Sequence, residues 1–259
     1  MNLHLQGAGL RRGGRQVLRG VTLSIEPGEF LVVVGPNGAG KTSLLSLLAG
    51  DLRPTDGQVW LDGRALRDWT PLDLARRRAV LRQANQLGFP LPVRDVVALG
   101  RSPWRDIRDR TVNDAAIDAA LVAADVRHLV GRSYAALSGG EQQRTQLART
   151  IAQLDTGSRP APILLLDEPT ASLDLSHAHA VLQRTRGLAH NNGVAVVAVL
   201  HDLGLAWRYA DRVLVLRNGS VAGLGTPHAV FTPALLSEVF AVEAAIHDGY
   251  LVVHGPVAA

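Results

Sequence analysis

The sequence contains no cysteine and no long apolar run. Without cysteine, the chain can form neither a disulfide nor a thiolate metal site. The longest apolar stretches, residues 30–34 and 194–200, are far shorter than the roughly 20 residues that span a bilayer. Residues 1–4 do not resemble the basic and apolar start of a signal peptide. These absences argue against a membrane-spanning chain and lead us to expect a cytoplasmic location.

A strong excess of charge of one sign is also missing. Lys and Arg number 27 against 23 Asp and Glu, which gives a net charge of +4. Such a balance is only a weak indication of nucleic-acid binding. With 259 residues, of which 47% are hydrophobic, the chain is long enough for a full α/β core. We expect one large domain, or one domain with an inserted lobe.

A strand, a glycine-rich turn and a helix are predicted in succession around residue 35. The continuous apolar run Phe30 to Val34 is typical of a central parallel strand that is buried on both faces. Leucines at helical spacing predict a helix from Lys41 to Ala49, which Gly50 closes. Between these elements lies the segment GPNGAGKT. The chain therefore has the order of elements that phosphate binding requires.

The remaining pattern predicts an α/β core interrupted by helices. The first sixty residues indicate short strands joined by turns, and Thr70 caps a helix with Pro71 in its first turn. Helical periodicity covers residues 112–124 and 140–154, residues 155–162 form a loop, and strands return at residues 163–166, 194–200 and 212–216. We predict one domain over residues 1–259, in which residues 1–87 and 160–259 form the core and residues 88–159 form a helical subdomain.

The segment GPNGAGKT fits the phosphate-loop pattern G-x-x-x-x-G-K-[ST]. Its N–H groups and the following helix N-terminus would cradle phosphates, Lys41 would reach the β and γ oxygens, and Thr42 would offer its hydroxyl to Mg²⁺. An accidental glycine-rich turn is the alternative, and the flanking strand and helix argue against it. The predicted nucleotide-binding residues here are Gly35, Pro36, Asn37, Gly38, Ala39, Gly40, Lys41, Thr42 and Ser43.

Two adjacent carboxylates, Asp167 and Glu168, end the apolar strand at residues 163–166. Because the chain turns at the end of a strand, both acids can reach the nucleotide pocket. Asp167 would hold Mg²⁺ through its water shell, and Glu168 would polarise the attacking water. The alternative is a strand that runs into an ordinary acidic turn. The phosphate loop elsewhere in the chain favours the catalytic interpretation.

The segment LSGGEQQR, residues 137–144, resembles the signature motif of ABC-type ATPases. At the start of a helix, Ser138 with the amides of Gly139 and Gly140 would bind a γ-phosphate. The resemblance extends to Gln83 at the family's Q-loop, to residues 172–174 at its D-loop and to His201 at its H-loop. Five motifs in the family's order cover nearly the whole chain.

The resemblance implies a P-loop NTPase, or RecA-like, core with an antiparallel β subdomain and an inserted α-helical subdomain. It also implies that two copies meet head to tail, so that each ATP lies between the phosphate loop of one chain and the signature motif of the other. The implied catalytic residues are Glu168, His201, Gln83 and Lys41. The implied further nucleotide contacts are Ser138, Gly139, Gly140, Glu141 and Asp174, and the implied ligands of Mg²⁺ are Thr42, Gln83 and Asp167. By the same resemblance, Asp174 connects the two sites.

The sequence departs from the family at the adenine. Members usually carry an aromatic residue upstream of the phosphate loop, whereas the nearest counterpart here is Leu10 or Arg11. Stacking on the base must therefore be weaker, or must be a cation–π contact through arginine. ATP is expected over GTP by analogy with the family.

Residues 83–90, 99–104 and 200–203 are similar to the ATPase subunits of iron-siderophore, haem and vitamin B12 importers, and most closely to those of haem importers. The resemblance implies an integral membrane permease dimer as partner, an indirect periplasmic binding protein, and a place at the cytoplasmic face of the inner membrane. Residues 89–104 are the candidate groove for a helix of the permease, with ordinary packing as an equal alternative. Siderophore or vitamin B12 import remains the alternative to haem import.

Other interpretations are weaker. His177 and His179 favour a solvated helix face over a metal or haem site, because a spacing of two residues does not place two ligands on one helical face. The run of arginines at residues 76–78 likewise favours a solvated face over a nucleic-acid groove. An ABC ATPase that acts on DNA or the ribosome would carry a long coiled coil or a second ATPase unit. A nucleotide sensor without turnover is disfavoured by Glu168 and His201.

Overall fold

The computed structural model describes residues 3–83, 90–157 and 160–257. The predicted subdomain boundaries, between residues 87 and 88 and between residues 159 and 160, involve residues outside this range. The described strands are β1 (Leu3–Arg12), β2 (Arg15–Ile25), β3 (Phe30–Val34), β4 (Asp56–Leu61), β5 (Arg64–Ala65), β6 (Arg78–Leu81), β7 (Ile163–Asp167), β8 (Ala195–Val199), β9 (Arg212–Arg217), β10 (Ser220–Gly225), β11 (Val242–His247) and β12 (Tyr250–Pro256).

The central sheet has six strands in the order β10-β9-β3-β8-β7-β6. Strands β9, β3, β8, β7 and β6 pair in parallel, and β10 adds an antiparallel edge. Val33 lies level with Val199, which in turn lies level with Asp167. Parallel strands end at one edge of a sheet, where open α/β folds place their ligands. The phosphate loop, Asp167 and His201 therefore follow neighbouring strand ends.

Strand β3 is buried on both faces, as its apolar run predicts. Phe30, Val32 and Val34 belong to one hydrophobic core, while Leu31 and Val33 belong to a second. Successive side chains of a strand point to opposite faces, so the central sheet separates the two cores. A strand enclosed in this way provides a rigid base for the loop that follows it.

Strands β1, β2, β4 and β5 form a separate antiparallel sheet in the order β2-β1-β4-β5. The prediction of short strands is wrong for β1, which has 10 residues, and for β2, which has 11. It is confirmed for β3 with 5 residues and β4 with 6. The pairing of β1 with β2 shifts register after Leu5, Ala8 and Leu10. Each bulge moves the inward-facing side chains by one residue, so a long strand does not show sustained alternation in its sequence.

The described helices begin and end largely where the sequence predicts. Thr70 caps α2 by accepting the N–H of Asp73 at 3.1 Å, and Gly50 ends α1 with a φ of 76°. The helices are α1 (Lys41–Ala49), α2 (Pro71–Arg77), α3 (Val93–Ala98), α4 (Arg110–Ala123), α5 (Gly139–Gln153), α6 (Leu175–Asn192), α7 (Leu203–Tyr209), α8 (Pro227–Val230) and α9 (Pro233–Phe240).

Helices α3, α4 and α5 share one continuous core with the central sheet and α6. Leu121 of α4 and Leu147 of α5 belong to the same hydrophobic cluster as Val32 and Leu182. The division into a core and a helical subdomain therefore stays a prediction. No helix among the described residues is long and apolar enough to span a bilayer.

The run Arg76, Arg77 and Arg78 does not form the expected solvated face. Arg76 donates to the main-chain oxygen of Pro103 at 2.9 Å, and Arg77 pairs with Asp62 at 2.9 Å. Arg78 begins β6 and lies 3.6 Å from Asp51. Each guanidinium reaches a different element, so its long side chain is mostly buried instead of solvated.

Strands β11 and β12 form a hairpin at the end of the described chain. The indole of Trp207 on α7 donates to the main-chain oxygen of Gly249 at 2.9 Å and holds the hairpin tip. Ala244 of the hairpin belongs to the core that contains Phe30. The hairpin is thus attached to the α/β core on the side of α7.

Candidate functional site

The phosphate loop joins β3 to α1 through a backbone that only glycine can follow. Gly35 has a φ of 156°, and a Cβ there would lie 2.3 Å from the main-chain oxygen of Leu216. Gly40 has a φ of 103°, and a Cβ there would lie 2.8 Å from Leu18. Side chains are therefore excluded by neighbouring atoms as well as by backbone conformation. Glycine at positions 35 and 40 is therefore required by the path of the loop.

Gly40 is the N-cap of α1 and provides no side-chain hydrogen bond. The first N–H groups of a helix have no acceptor within the helix. Together with the positive end of the helix dipole, they form an anion-binding surface. No acidic residue occupies the first turn of α1. An anion approaching this turn meets no local negative charge from α1 itself.

Lys41 folds back onto the loop that it follows. Its Nζ donates to the main-chain oxygens of Gly35 at 2.7 Å and Pro36 at 3.0 Å. Burial lowers the pKa of Lys41, although Glu168 and Asp167 act in the opposite direction. The ammonium is thus held inside the curve of the phosphate loop, facing the carboxylates at the end of β7.

Thr42 and Asp167 bring two oxygen donors together. The Thr42 hydroxyl donates to Oδ1 of Asp167 at 3.3 Å, across 125 residues of sequence. Burial is the main reason that the pKa of Asp167 is raised, and the nearby Glu168 carboxylate adds to it. A hydroxyl and a carboxylate are donors that suit Mg²⁺, which commonly uses one or two carboxylates with waters and phosphate oxygens. The residues fit the predicted cation.

Glu168 receives hydrogen bonds from two of the predicted catalytic residues. Gln83 donates its Nε2 to Oε2 of Glu168 at 2.8 Å, and Nε2 of His201 lies 2.5 Å from Oε1. The Glu168 side chain is 13% exposed, whereas that of His201 is 47% exposed. Gln83, Glu168 and His201 therefore form one cluster at the ends of β6, β7 and β8. Gln83 directs its amide nitrogen at Glu168.

The backbone of Glu168 is unusual, with a φ of 52°. A non-glycine residue in this region costs energy and is found at sites where surrounding contacts hold it. Its main-chain oxygen accepts Nε2 of Gln143 at 2.9 Å. Sequence reasoning did not select Gln143, although it lies within the signature segment. Only its helical position, facing the strand end, could have indicated it.

The signature segment forms the N-terminus of α5. Ser138 is the N-cap and accepts the N–H of Glu141 at 3.3 Å, while the Glu141 carboxylate accepts the N–H of Ser138 at 2.8 Å. This capping box leaves Gly139 and Gly140 in the first turn, where N–H groups lack helical acceptors. The main-chain N–H of Ser138 lowers the pKa of Glu141. The Glu141 carboxylate is thereby occupied by the cap.

The signature segment and the phosphate loop are separate within one chain. Among the described residues, no hydrogen bond joins Ser138, Gly139 or Gly140 to the segment 35–42. A Cβ on Gly140 would instead lie 3.2 Å from the main-chain oxygen of Ser172. The helix N-terminus thus packs beside the predicted D-loop and presents exposed Ser138 and Gly139 to solvent.

A sequence profile described as ABC transporter matches residues 18–171, more than half of the chain. The chain belongs to the ABC transporter family. The hemin import ATP-binding protein of Pseudomonas aeruginosa PAO1 is 51% identical over 241 residues, which are 93% of each chain. That of Myxococcus xanthus DK1622 is 49% identical and covers 93% of this chain and 90% of its own.

Solved structures of the ABC family have the same fold. An inward-facing metal-chelate type ABC transporter gives a TM-score of 0.79 at 25% identity and covers 97% of this chain and 95% of its own. A dimeric bacterial ABC transporter cassette gives a TM-score of 0.75 at 27% identity and covers 87% of this chain and 98% of its own. The predicted family, fold class and assignment as an ABC-type ATPase are confirmed.

Asp174, in the D-loop of this ABC cassette, is the N-cap of α6. Its carboxylate accepts the N–H of His177 at 2.9 Å and the Ser176 hydroxyl at 2.9 Å, and it lies 2.8 Å from Nδ1 of His177. These bonds, led by the His177 N–H, lower the pKa of Asp174 to about 2. Nδ1 of His179 lies 2.7 Å from the Tyr209 hydroxyl. The expectation that both histidines lie on a solvated face is corrected, since both are partly buried and hydrogen-bonded.

The structure distinguishes between Leu10 and Arg11, the two candidate residues for a contact with adenine. Leu10 is 3% exposed and pairs with Leu18 in the hydrophobic core. It can offer no face to a base. Arg11 is exposed and pairs with Gln16 across the β1–β2 hairpin. Of the two, Arg11 alone is free to contact adenine.

The candidate groove at residues 89–104 is only partly open. Phe89 lies outside the described residues. Arg101 is 5% exposed and donates to the main-chain oxygen of Ala152 at 2.7 Å, and the Trp104 indole donates to that of Gln153 at 2.8 Å. These two side chains pack against α5, whereas Leu99 is 44% exposed. Packing accounts for the buried members of this segment.

Proposed function

We propose that this chain is the ATP-binding and ATP-hydrolysing subunit of an importer for haem. The cluster at Glu168 carries the hydrolytic part of the proposal. A carboxylate that is 13% exposed and lies 2.5 Å from His201 is placed to accept a proton from a water that attacks the γ-phosphate. His201 would orient the γ-phosphate and that water, and Gln83 would hold the carboxylate while linking the site to the helices.

The phosphate loop would bind the substrate. Main-chain N–H groups at the start of α1 would donate to the phosphates, and Lys41 would exchange its bonds to Gly35 and Pro36 for the β and γ oxygens. Thr42, Asp167 and Gln83 would hold Mg²⁺. When bound, the cation neutralises charge that develops on the phosphate oxygens. The close approach of Thr42 to Asp167 supports this arrangement.

Two copies of the chain would complete each site. Ser138 and Gly139 are exposed at a helix N-terminus and are not hydrogen-bonded to their own phosphate loop, so they are available to the ATP of a second copy. Gly140, Glu141 and Asp174 would shape that contact through the capping box and the D-loop. Closing and opening of this dimer, transmitted through residues 88–159, would drive a permease dimer.

The choice of haem as cargo is supported by relatives of about 50% identity that are named for hemin import. The chain would lie at the cytoplasmic face of the inner membrane, below the permease, with a periplasmic binding protein on the other side. These partners, and not the ATPase, would select the cargo. Hydrolysis at the ATP site would supply the energy for transport. The proposal includes no nucleic-acid partner.

The Glu168→Gln variant tests the hydrolytic assignment. It should still bind ATP, should accumulate as an ATP-bound dimer, and should lose phosphate release by at least about 100-fold because the general base is gone. Glu243→Gln is the control, since Glu243 is an exposed carboxylate on β11. Phosphate release at the wild-type rate in Glu168→Gln would overturn the role of Glu168.

The cargo is tested by reconstituting the ATPase with the multi-spanning permease that co-purifies with it from membranes. Haem, a ferric siderophore and cobalamin are offered in turn to vesicles that contain ATP, together with the binding protein that this permease recognises. Haem uptake that requires intact Glu168 supports the proposal. Uptake of either other cargo, with none of haem, would replace haem with that cargo.

A further inference from the structure

Gln143 lies in the second turn of α5, and its amide joins two separate segments of the chain. Its Nε2 donates to the main-chain oxygen of Glu168 at 2.9 Å. Its Oε1 accepts the main-chain N–H of Ser172 at 3.1 Å. The donor and the acceptor of one side chain are both used, and both bonds go to the backbone at the two ends of the turn 168–172.

The first bond acts on a residue whose backbone needs support. Glu168 has a φ of 52°, a conformation that an L-amino acid adopts at an energetic cost. Its N–H donates to the main-chain oxygen of Val199 at 3.2 Å, and its own main-chain oxygen accepts Gln143 and, at 3.3 Å, the N–H of Ala171. The direction of the carboxylate toward Gln83 and His201 depends on this conformation.

The second bond ties the same side chain to Ser172, which lies against the N-terminus of α5. Gly140 lies one turn before Gln143, and a Cβ on Gly140 would lie 3.2 Å from the main-chain oxygen of Ser172. The first turn of α5, which carries the exposed Ser138 and Gly139, therefore packs directly against Ser172. A shift of α5 along this contact acts on Glu168 through Gln143.

We propose that Gln143 is a positioning residue that couples the two ATP sites of the dimer. This inference rests on the proposed function, in which the N-terminus of α5 contacts the ATP bound by a second copy. When that contact forms, α5 is fixed, and Gln143 then holds Glu168 of its own chain in the conformation that the reaction needs. Turnover at one site thus depends on engagement of the other.

The chemistry of an amide explains why glutamine serves here. Methionine has a similar length and shape but offers no strong donor or acceptor. Ionised glutamate offers acceptors only, so it keeps the bond from Ser172 and opposes the main-chain oxygen of Glu168. The two substitutions therefore separate the two bonds.

Gln143→Met should lower kcat for ATP about tenfold, as expected from the loss of two hydrogen bonds, with KM within about twofold. The Hill coefficient for ATP should fall toward 1. Gln153→Met is the matched control. Gln153 lies on the same helix, and its amide also bonds two backbone groups, the main-chain oxygens of Ala75 and Arg78 at 2.8 and 2.9 Å, away from the site.

Wild-type kcat and cooperativity in Gln143→Met would overturn the proposal, and so would an equal loss in Gln153→Met. If Gln143→Met does not fold, Gln143→Glu replaces it in the test, and its kcat should also fall. Wild-type activity of Gln143→Glu would overturn the claim that Gln143 holds Glu168. Glu168→Gln is measured alongside. If Glu168→Gln loses turnover and Gln143→Met does not, this inference is rejected while the proposed function stands.

Discussion

Lys41 and Asp167 are both buried, and burial disfavours the ionised form of each side chain. Burial lowers the pKa of Lys41 and raises that of Asp167, so that each shift opposes the ionised form. Glu168 adds a second negative charge to the same site. A ligand that brings both phosphates and a cation would give each group an opposite charge at short range. These charges are the arrangement expected for the proposed ligand, Mg-ATP.

Arg11 is the residue that we expect to contact the adenine base. Because Leu10 is buried, the Arg11→Ala variant should lose the remaining contact with adenine and raise KM for ATP by about two- to fivefold, the range of an exposed cation–π contact. Arg11→Tyr should lower KM, since an aromatic ring stacks on the base. Steady-state kinetics with ATP and GTP measure both effects.

Arg12→Ala is the control for this prediction. Arg12 is the exposed neighbour of Arg11 at the hairpin tip, so its substitution by alanine removes an equal charge from the same loop. If Arg11→Ala and Arg12→Ala raise KM equally, the effect is one of charge and not of contact with the base. An unchanged KM in both Arg11 variants would contradict the proposed contact.

At the scale of elements, the sequence predicts local structure well and contacts between distant elements poorly. The helix α1 and the strand β3 are evident because leucine spacing, a continuous apolar run and Gly50 are local signals. The cap at Thr70 is local too. The partners of Arg77 and Gln143 are set by packing over tens of residues, and no local pattern contains that information. The length of β1 is hidden for another reason, because its bulges interrupt the alternation that would reveal a long strand.

The cap of α6 predicts a dependence of stability on pH. In the folded chain the pKa of Asp174 is about 2, below its ordinary value of 3.8, because the carboxylate accepts the N–H of His177 and its neighbours. A lowered pKa stabilises the folded state above the ordinary value, and this stabilisation is lost as the pH falls from about 4 to about 2. The urea midpoint of the wild type should exceed that of Asp174→Asn at neutral pH, and the difference should vanish by about pH 2.

Asp106→Asn provides the control for general acid effects. Asp106 is exposed, and among the described residues it takes part in no hydrogen bond or ion pair. Its urea midpoint should follow that of the wild type from pH 8 to about pH 2. A gap between wild type and Asp174→Asn that persists at the lowest pH would contradict the role of the ionised cap.

For the whole molecule, the positions of α1 and α5 support the proposal that one chain holds halves of two sites. The phosphate loop follows β3, while the N-terminus of α5 packs against the D-loop and is exposed. Because α5 shares one core with the central sheet, a single chain cannot bring its own signature segment onto its own phosphate loop without disrupting that core. A two-fold dimer satisfies both halves at once.

Two inactive variants should therefore restore activity to each other. Lys41→Ala removes the phosphate-loop ammonium. Gly139→Asp places a carboxylate where the γ-phosphate of the second copy would lie, and a Cβ at Gly139 meets no atom within 4 Å, so the fold should tolerate it. In an equal mixture, about half of the dimers contain one of each chain and one intact site, so phosphate release should rise above background to at most about a quarter of the wild-type rate. The defective second site cannot engage α5 of the hydrolysing chain, so loss of the coupling through Gln143 should lower the rate below this limit by up to about tenfold.

Each variant alone should release phosphate at a background rate at every protein concentration, because every one of its sites lacks one component. The recovery in the mixture should rise with total protein until dimers are saturated, as expected for association. A signature segment that served its own chain would leave the mixture as inactive as its parts. Absence of recovery above background, with both variants folded and able to mix, would contradict the shared site.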